Sequence, residues 1–248
     1  MHKEFRAQWT DAGYDSHMGS AEVVQPPPAG RLRAYYLTSA EYAISNIALG
    51  RIKVSRFSDL NDPFELLALR GSDRHVRDFG RILREQYDQS TGLICFSKNW
   101  ISPTLWSHYA AKHRGICLGF DIDRNTLLDV IYADDRVLDP LPDKSAPPAV
   151  SDELLAKLSR TKFSHWKYEG ETRMMFPLTT ASKEGGLHFK QFGPDLSLAE
   201  VILGPLCDLP LDRIRALVLS VRPGAVAFRS RLAWNSFSVV PMESSVTW

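Results

Sequence analysis

Gly92-Leu-Ile-Cys-Phe-Ser97 and Ile116-Cys-Leu-Gly-Phe-Asp121 are continuous apolar runs of strand length, the pattern of strands covered on both faces. Between them Ser102-Pro103 opens a helix over Thr104-Leu-Trp-Ser-His-Tyr-Ala-Ala-Lys-His113, which Gly115 can close. Two covered strands bracketing a helix set the centre of the domain, and the remaining elements are read outward from them.

Upstream, Leu32 to Thr38 (LRAYYLT) reads as a strand; Ser39 caps a helix to Leu49, Gly50 ends it, and Ile52 to Ser55 is a short strand. Arg56 to Glu65 (RFSDLNDPFE) reads as an ordered loop, because Asn61-Asp62-Pro63 forms a turn and Phe57, Leu60 and Phe64 supply apolar anchors. Asp73 can cap an amphipathic helix to Gln89, with Val76, Phe79, Leu83 and Tyr87 facing inward. Downstream, the four prolines within 139–150 mark a surface loop. A helix over 152–161 and a strand near Tyr168 to Phe176 follow, then a loop at Gly185-Gly186. The tail reads as strand (200–203), helix (211–220) and two strands (225–229 and 237–240). Strands outnumber helices, which predicts one α+β domain over 31–248.

The chain has 248 residues, 44% hydrophobic and 24% charged, enough apolar mass for one sizeable core. Thirty Lys and Arg against 29 Asp and Glu leave a charge of +1, without the global positive field of a duplex-binding module. Cys95, Cys117 and Cys207 make no disulfide framework or zinc knuckle. No window has the roughly 18 to 20 apolar residues that cross a bilayer, and the N-terminus lacks a signal-peptide core, so the expected location is cytoplasmic with no membrane partner. Residues 1–30 read as a flexible leader; Asp15 to Ser20 could be residual tag sequence, and Pro26-Pro27-Pro28 follows it.

Dinucleotide-binding glycine, P-loop, nucleophile-elbow and zincin signatures are all absent. The informative stretch is Tyr168-Glu-Gly-Glu-Thr-Arg173. As a strand it puts Glu169, Glu171 and Arg173 on one face, with the two carboxylates roughly 7 Å apart. Such a set is either a solvated face with a weak Glu171–Arg173 pair, or an acidic pair that stabilises a developing positive charge. Trp106, Tyr109 and His113 share a helical face and read as a packed stripe or pocket wall. A zinc site from His108, His113 and Cys117 would need a fourth ligand. Asp62 and Glu65 could join Glu169 and Glu171 around a divalent metal, although Asn61 and Asp62 also simply fold the turn. Arg77, Arg81 and Arg84 form a helical stripe interleaved with Asp78 and Glu85, a solvated face.

NDPFE (Asn61 to Glu65), CFS (Cys95 to Ser97), LWSHYAAKHRGICLGFD (Leu105 to Asp121), WKYEGETR (Trp166 to Arg173) and the later ILGP (Ile202 to Pro205) occur in this order. The set resembles the bacterial family known as domain of unknown function 2971, from about Arg31 to Pro241. The order of a first strand with an aromatic or basic residue, a middle strand ending in serine and a late Glu-x-Glu is also similar to the ADP-ribosyltransferase superfamily, which cleaves NAD. That resemblance implies a split, mostly antiparallel β core with flanking helices. It makes Glu171 the catalytic acid, with Glu169 orienting the acceptor or the ribose and Ser97 supporting the glutamate. The first-strand position falls on Tyr36, or on Arg33 in the arginine-type scheme, and strand parity lets only one of these two face the pocket. Cys95-Phe96-Ser97 departs from the Ser-Thr-Ser of that scheme.

On this reading NAD is the substrate and no metal is expected. Tyr36 or Tyr109 stacks on nicotinamide, Arg56 or Arg114 meets the pyrophosphate, and Tyr35, Asn61 and His113 line the cleft. The acceptor is a protein, a nucleic acid, a small molecule or water, and a role in toxicity or defence brings in a neutralising partner protein. Two other functions stay open: a non-catalytic binding module with Glu171–Arg173 as a structural ion pair and the Asn61 loop as a partner site, and a metal-dependent nuclease.

Overall fold

A computed structural model describes residues 24–71, 74–137 and 151–242. The strands are β1 (Arg31–Thr38), β2 (Arg51–Val54), β3 (Thr91–Ser97), β4 (Ile116–Asp123), β5 (Leu127–Asp129), β6 (Ile131–Ala133), β7 (Thr161–Phe163), β8 (Glu171–Pro177), β9 (Ser182–Glu184), β10 (Leu187–Gln191), β11 (Ser197–Leu203), β12 (Val226–Leu232) and β13 (Val239–Pro241). The helices are α1 (Ala40–Leu49), α2 (Arg74–Ser90), α3 (Pro103–Tyr109), α4 (Asp152–Leu158) and α5 (Leu211–Val221). The fold is α+β, built on one large, mostly antiparallel sheet.

That sheet has eight strands in the order β13-β12-β11-β4-β1-β3-β8-β5, and its one parallel pair is β11–β12. The two apolar runs behave as their sequence requires. β4 is buried at every residue from Ile116 to Ile122, and β3 at five of its seven. One face carries Ala34, Phe96, Leu118, Phe120 and Val201, covered by α1 and α5 through Ile47, Ile214 and Val218. Ser39 accepts from the Tyr42 amide at the start of α1, and Gly50 ends it with φ +61, the left-handed cap that glycine adopts without a Cβ penalty.

The opposite face is covered in two pieces. Leu93 packs with Phe57, Leu66, Phe79, Leu83 and Leu158, which brings in α2 and α4. Cys117 and Ile202 pack with Trp100, Trp106 and Val239, which brings in α3. Strand register sets Tyr35 opposite Ser97 and Ser97 opposite Glu171, so these three residues share this face with Arg173.

Several elements differ from the sequence reading. α3 stops at Tyr109 instead of running to His113. Ala111, Lys112 and His113 follow with φ of +46, +55 and +69, and the knot is tight because a Cβ on Gly115 would collide with the Thr38 carbonyl and one on Gly204 with the His113 carbonyl. His113 therefore does not share a helical face with Trp106 and Tyr109. The expected strand from Tyr168 starts at Glu171; Ser164–Glu169 is a 3-10 turn closed by Gly170 at φ +51. The β9–β10 hairpin, which joins β2 in a three-stranded sheet, was not anticipated. Phe57 is buried, but Phe64 is 50% exposed and anchors nothing. At the end of the expected leader the Pro28 carbonyl accepts from the Arg31 amide at 3.0 Å and the Gln25 carbonyl from Arg33 at 2.7 Å. The leader over 1–23, the Pro-rich loop at 139–150 and the Asp73 cap lie outside the described residues. No helix among the described residues is long and apolar enough to cross a membrane.

Candidate functional site

Strand alternation sends Glu171 and Arg173 of β8 to the same face, into the gap between the two apolar clusters. A guanidinium with no solvent exposure must have all its donors satisfied, and this one does. Arg173 Nε donates to Glu171 Oε1 at 2.7 Å and Nη2 to Glu171 Oε2 at 3.2 Å. Nη1 and Nη2 reach Glu65 Oε2 and Oε1 at 2.8 and 2.6 Å, and Nη1 also donates to the Ser159 carbonyl at 2.9 Å. Lys162, buried on β7, places Nζ 2.6 Å from Glu169 Oε2, 3.0 Å from Glu171 Oε2 and 3.9 Å from Glu65 Oε1.

Three buried carboxylates thus share two cations, and the surplus falls on Glu169. Its second oxygen accepts from the Tyr109 hydroxyl, which in turn accepts from the Asn61 side-chain amide at 3.4 Å. Burial raises the Glu169 carboxyl above its ordinary value, against the opposing pull of Lys162 and Tyr109. For Glu171 burial also works upward, but Arg173 and Lys162 override it and hold the group at about 2. Tyr109 is raised by burial and by its carboxylate neighbour. Arg173 and Lys162 thus favour the ionised form of Glu171, while burial favours the protonated form of Glu169.

Aromatic rings surround the Glu169 end. Lys162 Nζ lies 4.8 Å over the Trp166 ring, Trp166 is 6.2 Å from Tyr168, and Tyr168 is 5.9 Å from His108. Trp166, Tyr168 and Tyr109 are half-buried and His108 is exposed, so this rim separates the charges from solvent. Ser97 closes the floor: its hydroxyl donates to the Glu169 carbonyl at 2.6 Å and accepts from the Asn99 amide at 3.3 Å. It supports the backbone of Glu169 instead of touching the Glu171 carboxylate.

The structure therefore gathers Ser97, Glu169, Glu171, Tyr109 and Asn61. Tyr36 is a correction: parity turns it to the other face, where its ring packs on Phe96 at 6.3 Å and burial pushes its hydroxyl up to about 12. Tyr35 is the β1 residue beside Ser97. Arg33 faces the same side but belongs to another cluster, with Asp121 at 2.8 Å and Glu200. Arg56 lies by Asp88 at 3.7 Å and Arg114 by Asp208 at 3.3 Å, both exposed ion pairs away from Glu169. His113 sits in the left-handed turn, where burial lowers its basicity and Nδ1 has no partner among the described residues. Neither the trio His108, His113 and Cys117 nor the acids Asp62, Glu65, Glu169 and Glu171 forms a group placed to hold a metal among the described residues. Glu65 meets Glu171 only through cations, and Asp62 is turned to the Phe64 amide at 2.9 Å.

Sequence reasoning missed Lys162 altogether and took Glu65 only as a metal ligand. Comparisons with protein-family models, with curated proteins and with solved structures find no match to this α+β chain.

Proposed function

We propose that the chain is an ADP-ribosyltransferase-like enzyme that cleaves NAD, with Glu169 rather than Glu171 as the acid that meets the substrate. The observation that carries this reading is the surplus carboxylate of Glu169, bonded to Tyr109 and Lys162 within the ring of Trp166, Tyr168 and His108. The nicotinamide of NAD is a cationic ring, which gains from aromatic faces and from a nearby carboxylate. When its bond to ribose breaks, the electron pair leaves with neutral nicotinamide and the sugar carbon becomes cation-like. The Glu169 carboxylate, in its ionised form beside that carbon, lowers the barrier. The acceptor then bonds to the carbon and gives up a proton, which the raised carboxyl of Glu169 is suited to receive. Glu171, held by Arg173 and Lys162, positions Lys162 and through it Glu169. The order of an aromatic first strand, a middle strand ending in Ser97 and the later Glu169-Gly170-Glu171 adds support as a resemblance to the ADP-ribosyltransferase superfamily, and the cytoplasm is the location consistent with it.

A second reading is a non-catalytic binding module. It is favoured by the saturation of Arg173, whose N–H donors are all used inside the protein. Release of labelled nicotinamide from NAD, with binding of NAD measured alongside, decides between them. The enzyme reading expects turnover by the wild type and a loss of about 10²–10³-fold in Glu169→Gln, the scale of removing one preorganised group. Equal turnover in that variant sinks the assignment of Glu169. No turnover and no NAD binding by the wild type leaves the binding module.

A further inference from the structure

A cleft of about 470 Å³ opens between the Arg56–Gly71 loop and α2, lined by none of Glu65, Lys162, Glu169, Glu171 and Arg173. Its floor is apolar: Leu67, Leu69 and Val76 line it, and Gly80 leaves it open where any α2 side chain would meet Leu67. Phe64 forms one wall, which explains a phenylalanine 50% exposed in a turn that is otherwise fastened down. The mouth is cationic. Arg77, Arg81 and Arg84 stand on successive turns of α2, and Arg136 comes across from the other side with its guanidinium 4.8 Å over the Phe64 ring. The two acids at the cleft are also engaged, Glu85 with Arg81 at 3.0 Å and Asp88 with the Ser58 amide at 2.7 Å and Arg56 at 3.7 Å. Arg84 donates to the Pro63 carbonyl at 3.1 Å. Four arginines thus face two acids, and the lining keeps a positive excess. A solvated stripe accounts for three arginines on a helix but not for an apolar hollow beneath them.

We propose that this cleft binds a small amphipathic anion, an alkyl or acyl body with one negatively charged head. The volume is that of small-ligand sites, roughly 300–1,000 Å³. The floor matches an apolar body, and arginine forks match an anionic head. The site is independent of the NAD reading, although the two share a wall: Pro63 and Phe64 face the cleft, while Asn61 and Glu65 of the same turn reach Tyr109 and Arg173.

The test is calorimetric titration of the full chain with decanoate and decyltrimethylammonium below their micelle concentrations and with decanol below its solubility limit. Decanoate binds at one site, decanol binds more weakly, and the cation does not bind. The double variant R81E/R136E, on exposed side chains, loses decanoate affinity at least tenfold, and Phe64→Ser weakens decanoate and decanol alike, with both variants keeping the wild-type melting temperature. Equal binding of anion and cation, unchanged affinity in the charge-reversed variant, or no binding of decanoate overturns the proposal. A variant that melts early is replaced by R81Q/R136Q, for which the same loss is expected.

Discussion

Two buried charge clusters stand on the same face of the main sheet, and they solve one electrostatic problem in different surroundings. On β8 and its neighbours Glu65, Glu169 and Glu171 share Arg173 and Lys162; on β1, β4 and β11 Asp121 and Glu200 share Arg33. In each, one carboxylate exceeds the cations, burial raises the carboxyl of that extra group (Glu169 or Glu200), and a tyrosine stands close by, hydrogen-bonded to it in the case of Glu169. The tyrosines differ. Tyr35 lies half-buried on β1, its ring admitted because Gly119 has no side chain, and packs against Trp106 and its neighbours. Tyr109 stands at the rim and passes its contact on to exposed Asn61. A surplus buried charge is therefore not in itself a site; what distinguishes the β8 cluster is the set of rings, Tyr109, Trp166, Tyr168 and His108, gathered at its Glu169 end.

Removing the most enclosed cation is the strongest way to break the comparison. Arg173→Met leaves Glu65 and Glu171 short of partners in a place with no solvent, so it is expected to cost about 3–5 kcal/mol, read as a lowered denaturant midpoint. A cost under about 1 kcal/mol would mean that the cluster is hydrated in solution and that the contrast with a surface ion pair is empty.

Glu65 lies 108 residues from Arg173 in the chain, and this distance shows where the sequence stops being legible. β1, β3, β4, the Ser39 cap and the Gly50 stop follow from local apolar patterning and capping chemistry, so they could be read directly. The shared face of Glu171 and Arg173 was legible from the two-residue period. Lys162 was not, because a lysine on a three-residue strand has no periodic signature and its burial is decided by carboxylates that arrive from other elements. Glu169 reached the cluster by a route opposite to the expected one. A 3-10 turn and a left-handed Gly170, pinned by Ser97 and by the Lys98 amide on the Gly170 carbonyl at 2.9 Å, bring it there in place of strand alternation.

The two glutamates of the β8 cluster give pH effects of opposite sign. Glu171 is held at about 2, below its ordinary 4.5, so its stabilisation is present above about 4.5 and is lost as pH falls toward 2. That limb is worth roughly 3 kcal/mol and should vanish in Glu171→Gln. Glu169 is raised, so the folded state binds its proton more readily than the unfolded chain does, and stability falls as pH rises from 4.5 through the raised value. Glu169→Gln should flatten that second limb. Melting curves across pH 2 to 8 for both variants would show the two limbs separately, and identical profiles would mean that the cluster titrates as one unit.

Arg33→Met sharpens the same comparison at a smaller scale. Its two acids retain slight exposure, so the expected loss is about 2–3 kcal/mol, the range of hydrogen bonds to charged groups. A loss exceeding that of Arg173→Met would reverse the order of burial argued above. Nicotinamide release by the residual folded fraction should stay unchanged, since Arg33 pairs with Asp121 and Glu200 and touches no member of the Glu169 cluster.

The smallest effects separate structure from function most cleanly, because each tyrosine can lose its hydroxyl without losing its ring. Tyr35→Phe removes a half-buried hydroxyl from the Glu200 side of the sheet and should cost on the order of 1 kcal/mol. Tyr109→Phe should cost less, since water can reach the rim and take the hydroxyl's place. The hydroxyl of Tyr109 stabilises the charged form of Glu169, so its loss should raise that carboxyl further and carry the second stability limb to higher pH. Under the NAD reading the pH profile of nicotinamide release moves upward with it, while Tyr35→Phe leaves that profile in place. If both variants lower stability equally and neither moves a titration, the two clusters are equivalent, and Glu169 has no more claim to chemistry than Glu200.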